Sequence, residues 1–111
     1  MSRNKAAGTR WESAIVEYLR DQGWPHAERR AMQGSRDRGD IAGIPGVVIE
    51  AKNCKQLDLA GWLDETTTEQ ANAGATIGAV WVKRRGRTDP GASYVVVAGA
   101  TFTALLREAG Y

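Results

Sequence analysis

The chain has one cysteine, one histidine, three prolines and one phenylalanine among 111 residues. With Cys54 alone, neither an internal disulfide nor a multi-cysteine zinc site can form. With His26 alone, the usual histidine-rich metal sites are excluded too. No apolar run reaches the roughly 18–20 residues needed to cross a bilayer, and the N-terminus lacks a signal-peptide core. These absences set the expectation of a reduced, cytoplasmic protein. What is present is ordinary for a globular domain: 42% hydrophobic residues, 25% charged, and four tryptophans to fill an interior. The length suits a single domain over 1–111, because two would each be too small to bury a useful core.

A net charge of +2 names no partner, but its distribution is informative. Arg3, Lys5 and Arg10 form one basic cluster, and Arg29, Arg30, Arg36 and Arg38 a second. Lys55 stands between them and a third, Lys83, Arg84, Arg85 and Arg87. From 57 to 81 there is no Lys or Arg, while Asp58, Asp64, Glu65 and Glu69 supply four acids. Charge segregated this way suits a surface with one side turned to a polyanion such as DNA. The alternative is that basic turns are simply solvated loops.

Periodicity predicts the order α-β-β-β-α-β-β-α, an α/β domain with a mixed central sheet flanked by helices. Residues 1–7 read as a basic arm. A helix follows over 9–22, capped by Thr9 with Glu12 in capping-box position and stopped by Gly23. Strands are expected over 26–32, 40–44 and 47–52, the last two forming a hairpin around Ile44-Pro45-Gly46. A helix over 59–73 places Leu59, Trp62, Leu63, Thr66, Gln70 and Ala73 on one face and ends at Gly74. A continuous apolar strand over 77–83 reads as buried on both sides. A basic loop with a Pro-Gly turn, a strand over 94–98 and a helix over 102–109 complete the chain.

Three positions break the local hydrophobic pattern, and such breaks concentrate at functional sites. Glu12 falls within the apolar arc of the first helix, beside Val16 and Leu19, where an unpaired carboxylate costs several kcal/mol. The competing role is the capping box. In the strand 47–52, period two puts Val48, Glu50 and Lys52 on one face, so two opposite charges project from a strand that otherwise favours burial. A structural salt bridge is the competing role, though buried ion pairs contribute little stability. Asp40 lies opposite Glu50 if the hairpin turns at Ile44-Pro45, and two adjacent carboxylates become favourable on binding a hard divalent cation. A plain turn residue after Gly39 is the alternative. Together these residues suit phosphodiester hydrolysis assisted by Mg²⁺ or Mn²⁺.

The order and spacing of these residues resemble the PD-(D/E)XK nuclease superfamily, and within it the archaeal-type Holliday-junction resolvases. The matching residues are Lys5, Gly8 and Glu12, the Gly34-Ser35 loop, Gly39-Asp40-Ile41, and Ile49-Glu50-Ala51-Lys52-Asn53, within a span of about 5–85. The resemblance implies a restriction-endonuclease-like core. It implies Mg²⁺ held by Asp40 and Glu50 with Glu12, Lys52 as the catalytic lysine, and Ser35 assisting. Gln70 matches a glutamine that the family often carries on the helix after the lysine; a buried hydrogen-bonding role is its alternative. The proline that names the motif is absent, and Gly39 precedes Asp40. The implied partners are branched DNA and a second copy of the chain, with Phe102, Leu105 and Leu106 as candidate contacts. Flaps, replication forks or duplex ends are alternative substrates. A non-catalytic DNA-binding module of the same fold is the remaining alternative.

Overall fold

The computed structural model describes residues 3–30 and 38–111, so Ser35 and Arg36 lie outside the described residues. Helix α1 (Arg3–Asp21) starts earlier than a cap at Thr9 would allow. Strong helix formers such as Lys5, Ala6 and Ala7 extend it, and the single Gly8 costs only about 1 kcal/mol against Ala. Thr9 is therefore inside the helix, Glu12 has no capping-box role, and the segment expected as an arm is helical from Arg3. The expected apolar arc holds: Trp11, Ile15, Val16 and Leu19 are all buried.

Five strands form one mixed sheet in the order β1 (Glu28–Arg29), β2 (Ile41–Ala42), β3 (Val47–Lys52), β4 (Ile77–Val82) and β5 (Tyr94–Val96). Only β3 and β4 run parallel, joined by the crossover helix α2 (Leu59–Ala73); the other neighbours are antiparallel. A 3₁₀ turn (Pro90–Ala92) precedes β5, and α3 (Gly99–Glu108) closes the chain. The element order is the expected one, but β1, β2 and β5 are shorter than expected and α3 begins before residue 102. In β2 the cause is local. Gly43 takes φ of 98°, and the carbonyl of His26 occupies the space a Cβ would need.

Alternation along β3 sends Val47, Ile49 and Ala51 toward α1, and Val48, Glu50 and Lys52 toward α2. The α1 side is the main core, where Trp11, Ile15, Val16 and Leu19 pack on Ile41, Ile49 and Trp81. Its indoles satisfy their N–H groups: Trp11 Nε1 donates to the Trp81 carbonyl and Trp81 Nε1 to the Pro90 carbonyl, each at 3.1 Å. Tyr18 meets Trp81 edge-on at 5.8 Å. Burial of each large apolar side chain there contributes about 1.5–3 kcal/mol. The α2 side has a smaller apolar cluster, Trp62 with Val80 and Val82.

The bounds of α2 are those expected. Asp58 Oδ1 accepts from Gly61 N–H at 3.0 Å to cap its start, and Gly74 in the left-handed region ends it. Its inward face differs from the expected one. Trp62, Thr66 and Glu69 are buried, while Leu59 is exposed.

Candidate metal centre

The β2–β3 hairpin positions the first acid. Ile41 pairs with Ile49, and Asp40 N–H donates to the Ile49 carbonyl at 2.9 Å. The Asp40 carboxylate turns back on the next strand, where Oδ2 accepts from Ala51 N–H at 2.8 Å. Asp40 is thus fixed beside Glu50 by its own hairpin. Gly39, just before Asp40, takes a conformation that favours glycine. Its φ is 94°, which proline, locked near −65°, cannot adopt. A Cβ there would also lie 2.9 Å from Val48 Cγ1.

Strand β3 and helix α2 supply the rest. Glu50 is 5% exposed and Glu69 1%, and one carboxylate oxygen from each of Glu50, Glu65 and Glu69 lies within 4.8 Å of the others. Lys52 Nζ stands 3.2 Å from Glu65 Oε1 and 3.7 Å from Glu50 Oε1, with the Trp62 ring centre 5.9 Å away. Burial, then the Glu69 carboxyl at hydrogen-bond reach, the charge of Asp40 and the Glu65 carboxyl push the Glu50 pKa from 4.5 up to about 11. Burial works against the charge of Lys52, but Glu50, Glu65 and Asp40 outweigh it and hold the ammonium above its ordinary range. The site therefore concentrates carboxyl groups around Lys52.

This donor set fits a hard divalent cation. It is all oxygen, and Glu50 Oε2 is buried with no hydrogen-bond partner among the described residues, an arrangement that a cation relieves directly. The three clustered carboxylates can hold a metal ion.

The sequence-derived residues fall into three groups. Asp40 and Lys52 are brought beside Glu50 as expected, although Asp40, held by the Ala51 N–H, is not one of the three clustered carboxylates. Glu12 is not part of the cluster among the described residues. Its helix packs on the opposite face of β3, and its Oε1 accepts from Arg29 Nε at 3.0 Å, which explains how a carboxylate is tolerated in the apolar arc. Gln70 lies over Gly78, the partner of Val48, so it sits two residues down the strand from Glu50. Sequence reasoning gave Glu65 and Glu69 no role in the site, counting them only among the four acids of the stretch without Lys or Arg. The signal was the inward spacing 62, 66, 69 on α2, which carries Glu69 into the interior.

The basic residues also divide. Clefts of about 600, 350 and 230 Å³ adjoin the end of β3, and all are lined by Asn53. The largest includes Gly8, Lys52 and Lys55; the others add Lys83, Arg85 and Arg10. Basic groups thus continue outward from Lys52. Lys5, Arg38 and Arg87 are exposed, and Arg84 sits 6.0 Å over the Tyr94 ring. Arg30 is half-buried, whereas Arg29 is engaged by Glu12. The side chain of Arg3 lies outside the described residues.

Comparison with protein-family models, with curated proteins and with solved structures gives no match for this chain.

Proposed function

We propose that the chain is a metal-dependent DNA endonuclease of the PD-(D/E)XK kind, on a restriction-endonuclease-like core. One observation carries this reading: Asp40, Glu50 and Lys52 converge at one hairpin, with Glu50 buried among further carboxylates. A structural ion pair accounts poorly for that arrangement. It would leave a surplus of buried acids, each costing several kcal/mol.

Asp40 and Glu50 would hold Mg²⁺, with Mn²⁺ as a substitute. The ion, when bound, neutralises charge at the scissile phosphate and acidifies water. Asp40 is oriented by the Ala51 N–H, so its carboxylate is fixed before substrate arrives. The acidic neighbours of Lys52 favour its charge in the cation-free chain. Lys52 would orient or help deprotonate the attacking water, or meet charge on the phosphate. Arg10, Lys55, Lys83 and Arg85 line the clefts beyond Lys52 and would hold backbone phosphates on either side of the cut.

The substrate proposed is branched DNA, as for a Holliday-junction resolvase, cut by a homodimer. Helix α3 buries none of its residues and exposes Phe102 and Leu105, while Tyr94 and Val95 are exposed on the neighbouring edge strand. This apolar face is the proposed dimer contact; sedimentation as a monomer at micromolar concentration would remove it. A gel assay with Mg²⁺ on a synthetic four-way junction, a flap and a linear duplex tests the function. Symmetric nicks in the junction alone are expected. Cleavage of flaps or duplex would retain the nuclease and reject the junction; no cleavage of any substrate would reject both.

A further inference from the structure

Helix α2 carries a fully buried acid where the packing asks for an apolar residue. Glu69 is 1% exposed and follows Trp62 and Thr66 along the inward face, one of the largest fully buried side chains of the chain. A carboxylate so placed has a desolvation cost that its neighbours must offset. The nuclease reading gives it no task, since Asp40, Glu50 and Lys52 all come from the hairpin.

We infer that Glu50, Glu65 and Glu69 form a divalent-cation site that bridges β3 and α2, so that the helix, not Glu12 of α1, completes the metal shell. Three features support it. One oxygen from each carboxylate lies within 4.8 Å of the others. Opposite ligands of Mg²⁺, Mn²⁺ or Ca²⁺ are about 4–5 Å apart, so small side-chain movements suffice. The second feature is independent of the clustering: Glu50 Oε2 is buried in the same place with no hydrogen-bond partner among the described residues. The third is charge. Lys52 is paired with Glu50 and Glu65, one ammonium against three carboxylates, and a divalent cation lets acids this close together ionise. The absence of Cys and His from the trio selects for a hard cation over zinc or copper.

This inference rests on the nuclease reading for the use of the ion, but not for its binding. The test is calorimetric titration of the full chain with Mn²⁺, on wild type, Glu69→Gln and Glu12→Gln. We expect saturable binding to wild type, at least roughly tenfold weaker binding to Glu69→Gln, and affinity within about twofold of wild type for Glu12→Gln. If Glu69→Gln fails to fold by circular dichroism, Glu65→Gln, on an exposed side chain, replaces it with the same direction of effect. Equal Mn²⁺ affinity in the α2 variants and wild type, or a loss confined to Glu12→Gln, overturns the inference while leaving the nuclease reading intact. Normal binding through α2 with no cleavage of any DNA supports the site and rejects the nuclease. Failure of wild type to bind Mn²⁺ overturns the site.

Discussion

On the α1 side of β3, Val47, Ile49 and Ala51 meet Trp11, Ile15, Leu19 and Trp81; on the α2 side, Val48 is followed by Glu50 and Lys52, with Glu65 and Glu69 descending on them. The same six-residue strand serves both. Each large apolar side chain on the first side contributes about 1.5–3 kcal/mol, and its indole N–H groups are satisfied. The second side buries the carboxylates of Glu50 and Glu69, and a smaller apolar cluster of Trp62, Val80 and Val82 offsets their desolvation. One face therefore holds the fold, and the other gives up stability to assemble charged groups. In proteins, stability surrendered locally is characteristic of a working site.

Substitutions on the two faces should separate activity from stability. Asp40→Asn or Glu50→Gln should reduce Mg²⁺-dependent cleavage by roughly 10²–10³-fold or more, while DNA binding measured in EDTA survives. Undiminished cleavage by either variant would remove the α2 face from the chemistry. On the opposite face, Ile15→Ala should destabilise by about 2–5 kcal/mol in urea, because Ile15 is fully buried, yet leave the turnover of folded protein unchanged. Glu69→Leu should do the reverse, stabilising the cation-free chain by about 1–4 kcal/mol. A destabilised Glu69→Leu would make that carboxylate a structural necessity and erase the contrast.

The two faces should also differ in their response to pH. Glu50 is raised from 4.5 to about 11, so the folded chain binds more protons than the unfolded chain between those values. The associated stability is full below about pH 4.5 and is lost as pH rises toward 11. In EDTA, the stability difference between wild type and Glu50→Gln should move against wild type from about pH 5 to about pH 9; a constant difference would contradict the burial of Glu50 among acids. The smallest effect concerns the periphery. Neutralising Arg84, Arg85 and Arg87 should weaken binding of all DNA forms and flatten the salt dependence by up to about 0.9 for each phosphate no longer neutralised. An unchanged slope would show that this loop faces away from DNA.

Much of this contrast was legible before the fold. The alternation Val48-Glu50-Lys52 assigned the charges to one side of β3, and the turn at Ile44-Pro45 set Asp40 against Glu50, because short-range periodicity and turn chemistry are properties of local sequence. The helical spacing from Leu59 and the stop at Gly74 set the bounds of α2 for the same reason. Glu12 lies apart from the carboxylate cluster for a different reason. A helical wheel reports which arc is apolar but not which face of the sheet the helix covers, nor that Arg29 will reach Glu12 from β1. Gln70 does face the sheet, over Gly78, but the fully buried carboxylate is its neighbour Glu69, which the helical spacing alone had not singled out. Tertiary contacts decide such burial.

Crystals grown with Mn²⁺ and measured at the manganese absorption edge would test most directly whether the α2 face of β3 is a metal centre. An anomalous peak is expected at coordination distance from the Glu50 carboxylate, between β3 and α2. An ordered Glu50 side chain in such a crystal with no peak beside it would contradict a metal centre on that face.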